Sequence, residues 1–133
     1  DYKPFMLLAP IENKGDNYAI SSDGKIYTVG FTKQSGERYK SSFNELNLPE
    51  GVESIKKTGG NFFVDQDNKI HTVNDEGELS LEGTEINGYA DQTPVAVGGN
   101  YLFYADGSMY MVDEDGMINF IQKVTDSILV TNK

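Results

Sequence analysis

Cysteine is absent from this 133-residue chain and histidine occurs once, at His71. Disulfides, thiol nucleophiles and thiolate metal sites are therefore excluded, and a zinc site would need carboxylates almost alone. No apolar run reaches the length of about eighteen residues that a membrane-spanning helix requires. The longest, FMLLAPI, is short and holds a proline, so the chain is expected to be soluble. A G-x-S-x-G nucleophile elbow and a G-x-x-x-x-G-K phosphate loop are both missing. Positive charge is missing from one long stretch: between Lys69 and Lys123 there is no Lys or Arg in 53 residues. The chain begins at Asp1 rather than Met, as removal of a signal peptide or trimming would leave. A periplasmic or secreted location and the bacterial cytoplasm fit this composition equally.

What is present points to one all-β domain over residues 1–133. The length suits a single domain, and 38% hydrophobic residues with eight tyrosines and seven phenylalanines are enough for a core. Fourteen glycines, many in Asp-Gly or Gly-Gly pairs, favour short strands and tight turns.

Three segments align without gaps: NYAISSDGKIYTV (17–29), NFFVDQDNKIHTV (61–73) and NYLFYADGSMYMV (100–112). Their spacings of 44 and 39 residues match a four-stranded repeat unit. The units run approximately over 3–50, 51–89 and 90–133. In each, Asp-Gly or Asp-Asn sits between alternating runs, which predicts a hairpin with a two-residue type I′ turn. The alternation sets Ile26 and Thr28 on one face and Tyr27 and Val29 on the other. Four strands are expected in the second unit (52–57, 61–66, 69–74, 78–82) and in the third (94–97, 100–105, 108–113, 117–122). Residues 31–50 break the pattern and read as a connection holding an edge strand and one helical turn around SSFNEL. The C-terminal SILVTN reads as a further strand, completing the first unit.

The stretch LPEGVESIKKTGGNFFVDQDNKIHTV resembles one repeat of the regulator-of-chromosome-condensation type of β-propeller, whose blades pair a strand ending in Gly-Gly with a D-x-D-G hairpin. NYAISSDGKIYTVG is similar, including its terminal glycine. The resemblance spans three segments of about 25 residues, and its motifs are turn and packing residues, so it implies fold and not function. That family closes seven blades, whereas this chain has room for three. The expected architecture is thus three propeller-like antiparallel meander units in an open or incomplete propeller, with a β-trefoil as the alternative.

The net charge is −10. The window without positive charge carries ten acids: Asp75, Glu76, Glu78, Glu82, Glu85, Asp91, Asp106, Asp113, Glu114 and Asp115. Outside it eleven basic residues balance eleven acids. Such a field attracts basic partners and repels nucleic acid and anionic membranes. Acidic hairpin tips also serve solubility and block edge pairing without any partner.

DEDG (113–116) and DQDN (65–68) lack the EF-hand register and read as turns rather than calcium loops. Acids at adjacent turn positions point into solvent with nothing to separate their pKa values, which argues against glycosidase chemistry. His71 takes the place of Tyr27 and Tyr110 in the repeat, so packing is its expected role. No cofactor is implied. The expected function is a non-enzymatic protein-binding module with an acidic face, most concretely an inhibitor or immunity protein neutralising a basic effector or toxin enzyme. Its contacts would be Asp75, Glu76, Glu78, Glu82, Glu85 and Tyr89, with Asp113, Glu114 and Asp115 as a second cluster. The alternative is a lectin-like carbohydrate-binding domain, using exposed members of Phe62, Phe63, Tyr101, Phe103 and Tyr104 to stack sugars.

Overall fold

Alternating runs bounded by glycine turns form strands where the pattern is strongest. The structure, a computed structural model, describes residues 9–34 and 38–123. The strands are β1 (Ile11–Lys14), β2 (Tyr18–Ser21), β3 (Lys25–Gln34), β4 (Arg38–Asn47), β5 (Ile55–Thr58), β6 (Phe62–Asp65), β7 (Ile70–Thr72), β8 (Ala96–Gly98), β9 (Tyr101–Phe103), β10 (Ser108–Val112) and β11 (Ile118–Lys123). They make three antiparallel sheets in chain order: β1 to β4, β5 to β7, and β8 to β11. No helix is present among the described residues. All three sheets are open. The β-trefoil alternative, which requires strands closed into a barrel, therefore does not hold.

Two expected elements change. Residues 31–50 are no loose connection: β3 and β4 pair without a break from Lys25↔Asn47 to Gln34↔Arg38. The SSFNEL segment is thus strand and not helix, because the partner strand supplies a complete ladder that overrides a weak local preference. In the second unit the stretch 78–82 is not a strand. It touches β7 only through the isolated bridges Val73↔Leu79 and Ile70↔Thr84, leaving a three-stranded sheet. SILVTN lies outside the described residues.

The hairpin turns also differ from the expected type I′. Asn68 is the single non-glycine residue with positive φ among the described residues, at 65°, so Asp23, Asp67 and Asp106 are not left-handed. Instead Asn68 N–H donates to Asp65 C=O and Asp65 N–H to Lys69 C=O, at 3.0 and 2.9 Å. That is a three-residue loop, a type I turn closed by one left-handed residue. The turns that follow β7 and β10 repeat it, with Gly77 and Gly116 left-handed at φ 81° and 85°. A side-chain oxygen at the first position secures each loop. Asp65 Oδ1 accepts from Asp67 and Lys69 N–H, Asn74 Oδ1 from Glu76 and Glu78, and Asp113 Oδ1 from Asp115 and Met117, all at 2.8 to 3.0 Å. These side chains satisfy turn amides that would otherwise need water.

The core lies between sheets. Tyr18, Ile20 and Ile26 of the first unit pack on Phe63 and Val73 of the second. Phe62, Val64 and Ile70 of the second pack on Leu102, Tyr104 and Val112 of the third, with Ile86 from the linking loop. Each fully buried side chain of this size contributes about 1.5–3 kcal/mol. Successive residues of β6 therefore face opposite neighbours, and all four are buried.

Candidate functional site: an acidic cavity where the units meet

Hydrogen bonds between units repeat in register. Asp16, Gly60 and Gly99 occupy one repeat position: Asp16 N–H donates to Gly60 C=O at 2.7 Å, and Gly60 N–H to Gly99 C=O at 2.5 Å. Phe31, Asp75 and Glu114 occupy another, and Phe31 N–H donates to Asp75 C=O and Asp75 N–H to Glu114 C=O, at 2.9 and 3.0 Å. The opening Asn of each repeat reaches across as well. Asn17 Nδ2 donates to Asn74 C=O at 2.8 Å, and Asn61 Nδ2 to Val112 C=O at 3.0 Å. Thr28 Oγ1 adds a bond to Gly77 C=O at 2.7 Å.

Close approach at this junction needs Gly30. A Cβ there would overlap the Glu76 backbone, so unit one can seat the Asp75–Gly77 turn only without a side chain at that position.

These contacts frame a cavity of about 770 Å³ lined by all three units. Asp16, Asn17, Val29 and Phe31 come from the first, Asn61 and Asp75 from the second, and Gly99, Asn100 and Met111 to Glu114 from the third. The lining holds four carboxylates, Asp16, Asp75, Asp113 and Glu114, and no Lys or Arg.

The expected contact residues separate accordingly. Asp75, Asp113 and Glu114 meet at the cavity, so one acid of the first expected cluster joins two of the second. Glu76 and Glu78 are exposed on the adjoining turn, where Glu78 Oε1 accepts from Asn74 Nδ2 at 2.8 Å. Asp115 is exposed at the tip of the neighbouring turn. Glu82 instead rims a second hollow of about 330 Å³, and Glu85 is exposed on the loop between units two and three. Tyr89 is half-buried and anchored. Its ring stacks on Tyr104 at 4.3 Å, and its hydroxyl bonds Asp106 Oδ2 and Ser108 Oγ at 2.6 and 2.7 Å.

The electrostatics follow from these bonds. Donation to Asp106 raises the Tyr89 hydroxyl pKa and lowers that of Asp106. Burial, with Tyr110 and Tyr89 nearby, pushes Tyr104 up to about 12. The Met117 amide, with Asn119 and the Asp115 amide, holds Asp113 below the usual carboxylate value. Asp113 therefore spends its oxygens on its own turn, whereas Asp16, Asp75 and Glu114 are exposed residues of the lining.

At the second hollow lies a His–Asp pair. His71 Nε2 meets Asp65 Oδ2 at 2.9 Å, both residues are buried, and the imidazole stacks on Phe63 at 5.1 Å. The other ring nitrogen faces Ser80 C=O at 3.4 Å, so neither nitrogen is directed at a serine or threonine hydroxyl. No group of three metal-ligating side chains exists among the described residues.

Sequence reasoning missed Asp16, Phe31 and the three asparagines Asn17, Asn61 and Asn100. The signal was visible, since Asn opens every repeat, but only the inter-unit geometry gives it a role. Comparison with protein-family models, with curated proteins and with solved structures finds no match for this chain.

Proposed function

We propose that the chain is a non-enzymatic protein-binding module whose acidic cavity receives a basic segment of a partner, most concretely as an inhibitor or immunity protein that neutralises a basic effector enzyme. The observation that carries this reading is a cavity of about 770 Å³ with four lining carboxylates and no basic side chain. Asp75 and Glu114 sit at equivalent positions of adjacent units, joined through their backbones, so a fixed scaffold presents the charge. Pre-positioned acids speed association with a basic partner, while Val29, Phe31, Met111 and Val112 in the same lining supply apolar contact. The repeated inter-unit register also supports a propeller-like arrangement related to the regulator-of-chromosome-condensation repeat.

Titration with a fluorescent hexa-arginine peptide, at low and at high salt, tests the reading. Wild type should bind, with affinity falling as salt rises. Asp75→Lys combined with Glu114→Lys should lose at least about tenfold, a change of about 1.4 kcal/mol, while Glu85→Lys should bind like wild type. Equal binding by all three proteins would mean that the charge is read diffusely and that the cavity is not the site.

One observation favours the carbohydrate alternative. Phe31 is 58% exposed at the cavity, whose lining also holds Asn100, a ring and an amide of the kind that suits a sugar face. Glycan binding that is insensitive to salt and lost in Phe31→Ala would select that reading.

A further inference from the structure

The second unit turns one apolar face to the first unit and another to the third. The forward face of the first unit is Tyr18, Ile20 and Ile26, and that of the second is Phe62, Val64 and Ile70. The same repeat positions in the third unit are Tyr101, Phe103 and Met109. Phe62, Val64 and Ile70 are 0% exposed, whereas Tyr101 is 38% exposed and Phe103 and Met109 are half-buried. The backward face repeats in the same way. Phe63 and Val73 meet unit one, and Leu102 and Val112 meet unit two. Their equivalents in the first unit are Ala19 and Val29, and Val29 is 38% exposed.

The polar groups tell the same story. Asp16 and Gly60 N–H donate forward to the next unit, as do Phe31 and Asp75 N–H and the Asn17 and Asn61 amides. Among the described residues, Gly99 N–H, Glu114 N–H and Asn100 Nδ2 have no such acceptor, and Asp16 C=O receives no donor. A Cβ at Gly60 would press first against the Asp16 carboxylate and then against Gly99 C=O, while one at Gly99 would meet nothing.

An interface whose two sides differ propagates unless the array closes. We propose that a second copy of this chain docks its first unit onto the third unit of the first copy, continuing head to tail the register already used twice within the chain. Val29 would then cover Tyr101, Phe103 and Met109, and Asp16 C=O would accept from Gly99 N–H. Charge favours this pairing over tail to tail. Residues 90–133 hold six acids and two basic residues, whereas residues 3–50 hold six of each. Because the whole chain carries −10, salt strengthens this association by screening net repulsion. Binding of a cationic partner in the cavity has the opposite salt dependence.

Sedimentation velocity from micromolar to millimolar concentration tests the proposal. Wild type should associate, more so at high salt. Val29→Arg, which blocks the head, and Tyr101→Arg, which blocks the tail, should each sediment as monomers with unchanged circular dichroism. An equimolar mixture of the two should form a one-to-one dimer through the intact tail of one and the intact head of the other. If Tyr101→Arg fails to fold, Asn100→Arg takes its place. A wild type that stays monomeric at millimolar concentration overturns the proposal. So do blocked variants that still associate, and a mixture that stays monomeric, because the last would indicate a symmetric interface.

Discussion

The second and third units carry the same hairpin on nearly the same residues, yet they are buried differently. All four residues of β6 are buried, whereas in β9 only Leu102 is. The strand itself does not decide this. Phe62 and Tyr101 share a repeat position and a similar ring, and Phe62 is enclosed because a further sheet stands on that side. Stability in this fold thus belongs to the interfaces between units more than to any single sheet, as in repeat proteins generally.

Truncating the same position in both units breaks the comparison most sharply. Phe62→Ala should cost about 3–5 kcal/mol in urea unfolding, from lost burial and the cavity left behind. Tyr101→Ala should cost about 1 kcal/mol or less, measured at low protein concentration where the chain is monomeric. Equal losses would mean that the third unit's forward face is covered within the monomer.

Two glycines give a second matched pair. Gly30 abuts the Glu76 backbone, and Gly98 has open space around its Cβ position. Gly30→Ala should therefore destabilise by about 1–3 kcal/mol through overpacking at the unit junction. Gly98→Ala should stay within about 0.5 kcal/mol of wild type. Guanidinium unfolding of both variants checks the difference, and a neutral Gly30→Ala would show that the first two units are not wedged together there.

Much of this fold is legible in the sequence because turn chemistry is local. The Asp-Gly and Asp-Asn pairs fix where hairpins reverse, and the alternation around them fixes which residues pair. Their turn type is less legible, since it depends on the φ of Asp23, Asp67 and Asp106, and a glycine or asparagine after each suits either loop. The β3–β4 hairpin was hidden because SSFNEL carries no strong strand preference and needs β3 beside it. The cavity was half visible. The acid-only window names Asp75 and Glu114, but Asp16 and Phe31 lie far outside that window and join it only through inter-unit hydrogen bonds.

Position 65 separates the two units by pH. Asp65 of the second unit holds His71, while Tyr104 of the third packs edge-on to Tyr110 at 5.9 Å. Burial alone would raise the Asp65 pKa, but the bonds from His71 and from the Lys69 and Asp67 amides outweigh it and leave the carboxyl below its usual value. A carboxyl with a depressed folded pKa stabilises above its unfolded value, about 4, and loses that contribution as pH falls through the folded value. Wild type should therefore lose thermal stability below about pH 4, while Asp65→Asn, less stable at neutral pH, should show a shallower loss there. Identical slopes would assign acid sensitivity to other carboxylates.

The smallest effect is at the tips, and it distinguishes an oxygen from a charge. Asn74 and Asp113 occupy the same position in their units, and each accepts the amides two and four residues on, at 2.9 to 3.0 Å. The Asn74 amide oxygen does this without charge, so Asp113→Asn should keep the neutral-pH melting midpoint close to wild type. Asp113→Ala leaves two turn amides without their acceptor and should melt lower. Asp115→Ala removes only an exposed carboxylate at the tip and should melt as wild type. Because its amide bonds depress the Asp113 pKa, Asp113→Asn should also soften the loss of stability below about pH 4. Thermal melts of the three variants at neutral and acid pH separate these outcomes. Equal melting of Asp113→Ala and Asp115→Ala would show that the turn holds its shape through Gly116 alone.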